Sequence, residues 1–343
     1  MTSRERYVVL KGSNAAGLGD RLLALCSALA YAKLTGRTLV IDWRDGLYGQ
    51  VGQDAFSSAL RLVNVKHSVE IPKGITIAPP LWRDKLDFTF SELVSHYEPQ
   101  HPWDRNAAHT LYSIDQGNLD YQEDIVVIWD YEQFDKMVPA LRKHLRRPCA
   151  TIYELRNQLL REHLRPTPPL QNRIDRAIHE IQTPAIGLHV RATQEGMSRY
   201  VDVAIFEHFL EALSQRRAYA SIFLASDNIE IVERLQQNFS VTTTQKWYPA
   251  AWEPMHLSDK RPDKTENLLE AMTDIYLLAS CQTILYSLCS SFGHAASLLS
   301  ECSEDEVYLL ENLPYCRTWK AYRQRKLKNR LRRYLNRLLR RAN

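Results

Sequence analysis

Apolar positions along this chain switch repeatedly between short continuous runs and helical stripes. Tyr7-Val-Val-Leu-Lys11 is a run of the kind that forms a buried strand, and Gly12-Ser-Asn-Ala-Ala-Gly-Leu-Gly19 after it is a loop of small residues. Leu22, Leu25, Cys26 and Leu29 then recur at i, i+3, i+4 and i+7, one face of a helix, with Asp20 expected as its cap. Thr38-Leu-Val-Ile-Asp-Trp43 returns to the strand pattern. Strand, helix and strand in such close succession imply a parallel crossover, the unit of a doubly wound sheet. Asp124-Ile-Val-Val-Ile-Trp129 adds another strand to this half, and the proline-bearing stretch before it has no assignable pattern.

Arg165-Pro-Thr-Pro-Pro169 reads as a linker, because its prolines interrupt helix and strand alike. A second alternating series follows. Strands are expected at 184–191, 221–225, 240–244, 283–286 and 307–310, and helices over 203–216, 229–237 and 266–280. The chain of 343 residues suits two domains of roughly 150 residues each. The pattern predicts an α/β protein of two Rossmann-like domains, 1–165 and 170–315, facing each other across a cleft, with a carboxy-terminal segment 316–343.

Charge changes that picture at one end only. The formal net charge is +4, from 44 Lys and Arg against 40 Asp and Glu. Residues 317–343 hold 12 of the basic residues and no acid, so residues 1–316 carry 32 − 40 = −8. An acidic body excludes a nucleic-acid-binding core. In the tail, Leu327, Leu331, Tyr334, Leu335, Leu338 and Leu339 form one helical stripe, with arginines mostly opposite. A basic amphipathic helix over 320–343 points to an anionic membrane surface, ahead of packing on the body or holding nucleic acid. No apolar run approaches the roughly 18 residues of a membrane span. Met1-Thr-Ser-Arg-Glu-Arg-Tyr7 runs into the first strand with no signal-peptide core. A cytoplasmic protein, peripheral to the inner face of a membrane, is expected. The six cysteines (Cys26, Cys149, Cys281, Cys289, Cys302 and Cys316) lack CxxC spacing, which favours reduced thiols over zinc or disulfides.

Candidate chemistry gathers at strand ends, where ligands bind in open α/β sheets. The 184–191 strand ends in His189-Val-Arg191, and alternation puts His189 and Arg191 on one face with Ala185 and Gly187, small residues that leave space. The next strand ends in Ser226-Asp227-Asn228. A later one runs into Ser287-Leu-Cys-Ser-Ser-Phe-Gly293, a small polar turn opening a helix, whose hydroxyls and N–H groups suit an anion. Singly, the first is explained by a surface pair and the last by an N-cap. Together, in order, they fit a nucleotide diphosphate.

The same residues carry a family resemblance. Gly17-Leu-Gly-Asp-Arg-Leu22 and Arg37-Thr-Leu-Val-Ile-Asp-Trp-Arg44 resemble the amino-terminal signature of the bacterial NodZ-like fucosyltransferases. His189-Val-Arg191, Leu224-Ala-Ser-Asp-Asn228, and Thr273-Asp-Ile-Tyr-Leu-Leu-Ala-Ser-Cys281 through Ser290-Ser-Phe-Gly293 resemble the three motifs shared by α1,2-, α1,6- and protein O-fucosyltransferases. The resemblance covers most of residues 7–300. It implies a GT-B fold, GDP-fucose as donor, a glycan or lipid-linked acceptor, and inversion at the anomeric carbon with no metal or other cofactor. It implies that Arg191 meets the β-phosphate and that His189, Asp227, Asn228, Asp274 and Phe292 help hold the donor. Ser290 and Ser291 would hold phosphate oxygens, and Gly17, Gly19 and Arg21 would face the cleft, glycines allowing close approach to sugars.

An inverting transferase often uses a carboxylate to take the acceptor's proton. Gln194 stands where the α1,6 branch has an acid, which leaves Glu195 and Asp20 as candidates. The same replacement keeps open a non-catalytic nucleotide-sugar-binding protein, and the motifs also admit a different GDP-sugar. Asp42-Trp-Arg-Asp45 is not a metal-binding DxD, being explained by an Asp42–Arg44 pair, and no G-x-G-x-x-G marks a nicotinamide site. Lys143, His144, Arg146 and Arg147 read as a solvated helix face; His256, His294, Trp247 and Trp252 read as loop packing or a sugar wall.

Overall fold

The computed structural model describes residues 5–13, 16–73, 76–98, 104–191, 203–215, 219–249, 263–288 and 290–312. The first half opens with β1 (Tyr7–Lys11), α1 (Leu18–Thr35) and β2 (Thr38–Asp42). Short elements follow: α2 (Phe56–Ala59), β3 (Leu60–Leu62), β4 (His67–Ser68), β5 (Ile77–Ala78), α3 (Phe90–Tyr97) and α4 (Arg105–Leu111). Next come β6 (Ile125–Ile128), α5 (Val138–His144) and α6 (Ile152–His163). One parallel sheet runs β4-β2-β1-β6-β5. Its central strands are buried on both faces, which is why they read as continuous apolar runs.

Helix α1 differs from its expected form at both the cap and the face. It starts at Leu18 with Gly17 as N-cap; Asp20 is not the cap but sits in the first turn, where the helix dipole favours a carboxylate. Leu23, Ala24, Ala28, Ala30 and Tyr31 are buried besides the expected stripe. The helix packs on β1 and β2, on α6 and on a later helix, α11 (Ser291–Leu299), so it must be apolar on several sides. Gly36 ends it in the left-handed region (φ 69°), donating to the Ala32 carbonyl at 2.8 Å.

The second half comprises β7 (Leu164–Pro166), α7 (Pro168–Ile178), β8 (Ala185–Val190), α8 (Val203–Ser214), β9 (Ser221–Ser226) and α9 (Ile229–Asn238). It continues with β10 (Val241–Thr242), α10 (Lys264–Ala279), β11 (Thr283–Tyr286), α11 (Ser291–Leu299) and β12 (Val307–Leu309). The second parallel sheet runs β10-β9-β8-β11-β12. Arg165–Pro169 is not a free linker. Leu164–Pro166 pairs antiparallel with Leu60–Leu62, and Pro168 and Pro169 open α7, which packs on α10. Proline is tolerated at a strand edge and in a helix's first turn, where its missing N–H is not needed.

The two sheets are joined through helices. Tyr153 Oη donates to the Ser297 carbonyl at 2.8 Å, and Asn157 Nδ2 lies 3.0 Å from the carbonyls of both Leu298 and Ser300. The backbones come very close at Gly19 of α1, where a Cβ would fall 2.2 Å from the Ser291 carbonyl carbon and 2.3 Å from the Phe292 nitrogen. Backbone meets backbone there. Among the described residues no helix is long and apolar enough to cross a membrane.

Gly19→Ala should therefore force α1 away from α11 and cost about 2 kcal/mol or more. Urea unfolding monitored by circular dichroism reads this directly; wild-type stability would mean that the contact is looser than described.

Candidate functional site

In the second sheet β8 leads to β9 and β10 on one side, with β11 and β12 on the other. Between β8 and β11 the strand order reverses, and the crevice beyond their carboxyl ends is the expected ligand position. A cavity of about 150 Å³ lies there, lined by His189, Arg191, Asp227, Lys246 and Asp274 and by the start of α11. The opposite wall comes from the first half: Gly17, Leu18, Gly19, Asp20 and Tyr48.

His189 ends β8 and is buried. Its ring stacks on Phe292 (4.8 Å between centroids, 23° between planes), and Nδ1 lies 2.9 Å from Ser290 Oγ. Burial, reinforced by the nearby cations Arg191 and Lys246, pushes its pKa down to about 3, so the ring is neutral at physiological pH. Ser290 is the N-cap of α11 and accepts from the Gly293 N–H at 3.1 Å. Its hydroxyl, on a residue 1% exposed, is committed to His189 and the cap. Ser290 thus positions His189, while Ser291 and Phe292 line the cavity. Glu311 fixes the turn before them, accepting from Ser287 Oγ and the Leu288 N–H, each at 2.6 Å.

Arg191 and Asp227 both reach the cavity. Asn228, expected beside them, does not: its Oδ1 caps α9 by accepting from the Glu230 N–H at 2.8 Å, and the residue is buried. Asp274 accepts from Thr244 Oγ1 at 2.5 Å and pairs with Lys246. Burial works against the Lys246 ammonium, but Asp274, Tyr248 and Asp227 outweigh it and raise its pKa. Lys246 has no motif around it, and its place in the cavity follows only from the chain's path after β10.

Glycines near the site serve packing. A Cβ on Gly187 would meet Cys281 Cβ and Sγ and the Leu278 carbonyl at 3.2 Å, so the absent side chain admits the end of α10, not a ligand. Gly19 likewise admits the α11 backbone, not a sugar. Arg21 turns away from the crevice. Its Nη2 bonds Asp45 Oδ2 at 2.5 Å and the Ser13 carbonyl at 2.9 Å, and the residue lines a separate cavity in the first half. Asp20 lines both cavities, with Oδ1 accepting from Tyr131 Oη at 3.0 Å. Gln194, Glu195, Trp252, His256, Cys289 and residues 313–343, including the basic tail, lie outside the described residues.

Other features resolve simply. Asp42 pairs with Arg44 at 2.9 Å and also with Lys11, a partner the sequence did not indicate. His294 stacks on Tyr286 (6.3 Å, 12°), and burial holds its pKa down at about 4. Lys143, His144, Arg146 and Arg147 are exposed. Cys26, Cys149, Cys281 and Cys302 are free thiols. Among the described residues no group of three or more His, Cys, Asp or Glu is placed to hold a metal.

With this geometry in view, the chain can be set against known proteins. No family model matches it. It is 26% identical over 321 residues to nodulation protein Z of Bradyrhizobium diazoefficiens, covering 87% of this chain and 80% of that one. Its fold matches crystal structures of NodZ from Bradyrhizobium with a TM-score of 0.57 and 22% identity, over 87% of this chain and 94% of that one. One matching NodZ α-1,6-fucosyltransferase crystal was soaked with GDP-fucose. A point mutant of Arabidopsis thaliana FUT1 in complex with GDP matches with a TM-score of 0.54 and 15% identity, over 87% of this chain and 70% of that one. The α/β architecture with parallel sheets is that of these GT-B neighbours, and the NodZ-like resemblance read from the motifs extends over most of the chain.

The buried histidines make stability depend on pH. His189 and His294 hold pKa values of about 3 and about 4 when folded, and return to the ordinary 6.5 when unfolded. The unfolded chain then binds more protons below pH 6.5, so stability is full above 6.5 and falls as pH drops towards 4, by up to about 1.4 kcal/mol per unit per histidine. Denaturant midpoints at pH 7, 6 and 5 should shift less in His189→Gln than in wild type. Equal slopes would show that His189 is not held neutral.

Proposed function

We propose that this protein transfers fucose from GDP-fucose to a hydroxyl of a glycan or lipid-linked sugar. The observation that carries the reading is the joint placement of Arg191, neutral His189 and the first turn of α11 at the reversal point of the second sheet. A diphosphate there meets a guanidinium fork and the N–H groups at a helix start. The overall likeness to NodZ supports fucose as the sugar.

In the proposed reaction the acceptor oxygen attacks the anomeric carbon from the face opposite the leaving group. The bond to the β-phosphate oxygen breaks, its electron pair leaves with GDP, and the anomeric configuration inverts. Arg191 neutralises the charge that gathers on the departing phosphate, a role for which a fixed cation suffices without a metal. Asp20, on the wall between the two cavities, is our choice to take the acceptor's proton. The second half, 170–315, would hold the donor and the first half, 1–165, the acceptor. The basic segment 320–343 would hold the enzyme on an anionic membrane at the cytoplasmic face.

GDP should raise the melting temperature in the presence of EDTA, measured by scanning fluorimetry. Arg191→Ala should retain the wild-type circular dichroism spectrum and lose about 10²–10³-fold in fucosyl transfer. Near-normal transfer by that variant would remove Arg191 from the mechanism. Separately, deletion of residues 317–343 should abolish sedimentation with phosphatidylserine liposomes, and unchanged sedimentation would dispose of the membrane role.

A further inference from the structure

On the β9 and β10 side of the second sheet's crevice, α10 forms the wall. It turns Asn267, Ala271 and Asp274, spaced i, i+4 and i+7, onto the face that lines the cavity. Lys246, four residues past β10, lines the same cavity and pairs with Asp274. The two side chains are 3% and 4% exposed, so this end is shut off from bulk water. The other end faces Gly17–Asp20 of the first half.

The pair has hydrogen-bonding capacity beyond its own contact. An ammonium carries three N–H groups and a carboxylate about four lone-pair sites. Among the described residues the acceptor for Lys246 Nζ is Asp274 Oδ2, and the nearest ring is that of Tyr248, 5.5 Å from Nζ. Asp274 Oδ1 accepts from Thr244 Oγ1 at 2.5 Å. A charged donor and a charged acceptor therefore stand side by side at the closed end, and Lys246 keeps its charge there.

That juxtaposition selects among ligand chemistries. An anion would meet Asp274 and a cation Lys246, each repelled by one member of the pair. A neutral edge with a carbonyl oxygen beside an N–H satisfies both, and guanine has one in O6 and N1–H. A nucleotide held by its phosphates at Arg191 and the α11 start directs its base to this end, because the transferred sugar has to face the first half, where an acceptor can arrive. Adenine in the same place would set its amino group against the ammonium and its bare N1 against the carboxylate, two mismatches. Ala271, with a single methyl group, lets a flat ring lie against α10.

We infer that Lys246 is a specificity-determining residue of the donor site, its ammonium donating to O6 of the base while Asp274 accepts from N1–H. This role rests on the GDP-sugar reading and names the nucleotide atoms that decide acceptance.

Isothermal titration calorimetry on the full chain with GDP, IDP, ADP and 2-aminopurine riboside 5′-diphosphate tests it. IDP keeps O6 and N1–H, and the aminopurine nucleotide lacks both. Wild type should bind GDP and IDP at least about tenfold more tightly than the other two. In Lys246→Met, GDP and IDP should weaken about tenfold while the aminopurine nucleotide changes less than about threefold, closing the gap. Should Lys246→Met fail to fold, the double variant with Asp274→Leu, which strands no buried charge, is held to the same closed gap. Equal weakening of all four nucleotides would make Lys246 a phosphate or framework contact and overturn the role. So would a wild type that binds GDP no better than the aminopurine nucleotide. Binding of none of the four by wild type would remove the donor reading itself, and this role with it.

Discussion

Where Gly19 meets Ser291 and Phe292 there is no room for a side chain, and the rest of the site is arranged around that contact. Helix α1 follows β1, at the reversal point of the first sheet, and α11 follows β11, at that of the second. Pressing their first turns together brings the two carboxyl-end crevices side by side. Asp20, one residue beyond Gly19, then fronts both. The partial positive charges of two helix starts also converge there, which favours an anion on one side and a carboxylate between.

Around that junction the charges are sorted by burial. His189 is kept neutral, so it contributes a ring and a nitrogen without adding to the cationic field of Arg191. Lys246 keeps its charge because Asp274 accompanies it into the interior, and removing either partner would strand the other. In the first half the cations Lys11 and Arg21 are tied to Asp42 and Asp45. The crevice of the second sheet thus presents the Arg191 guanidinium beside the start of α11, and that of the first sheet carboxylates and aromatic walls.

The strands and most helices were legible in the sequence because both sheets are parallel and covered, so β1, β2, β6, β8 and β11 must be continuously apolar. The ordered motifs also marked the crevice of the second sheet, since His189, Arg191, Asp227 and Ser291 sit at strand or helix ends. What failed to show was whatever depends on a distant partner. Gly19 and Gly187 looked like space for a ligand, but a missing Cβ serves a neighbouring backbone equally well. Ser290 and Asn228 looked like ligands, but their oxygens satisfy helix N–H groups first. Lys246, His109 and Asp130 lie in stretches without a spacing signal, and only the sheet order brings them to a crevice. Arg165–Pro169 looked like a linker because proline's two tolerated positions cannot be told from sequence alone.

Hydrogen exchange followed by mass spectrometry offers the most direct trial of the two-crevice arrangement. GDP-fucose alone should protect the ends of β8 and β9, the start of α11 and residues 17–20, leaving β6 and the Asp130–Glu132 turn unchanged. Protection centred on the Asp130–Glu132 turn, or none at the α11 start, would contradict the division of the site around Gly19.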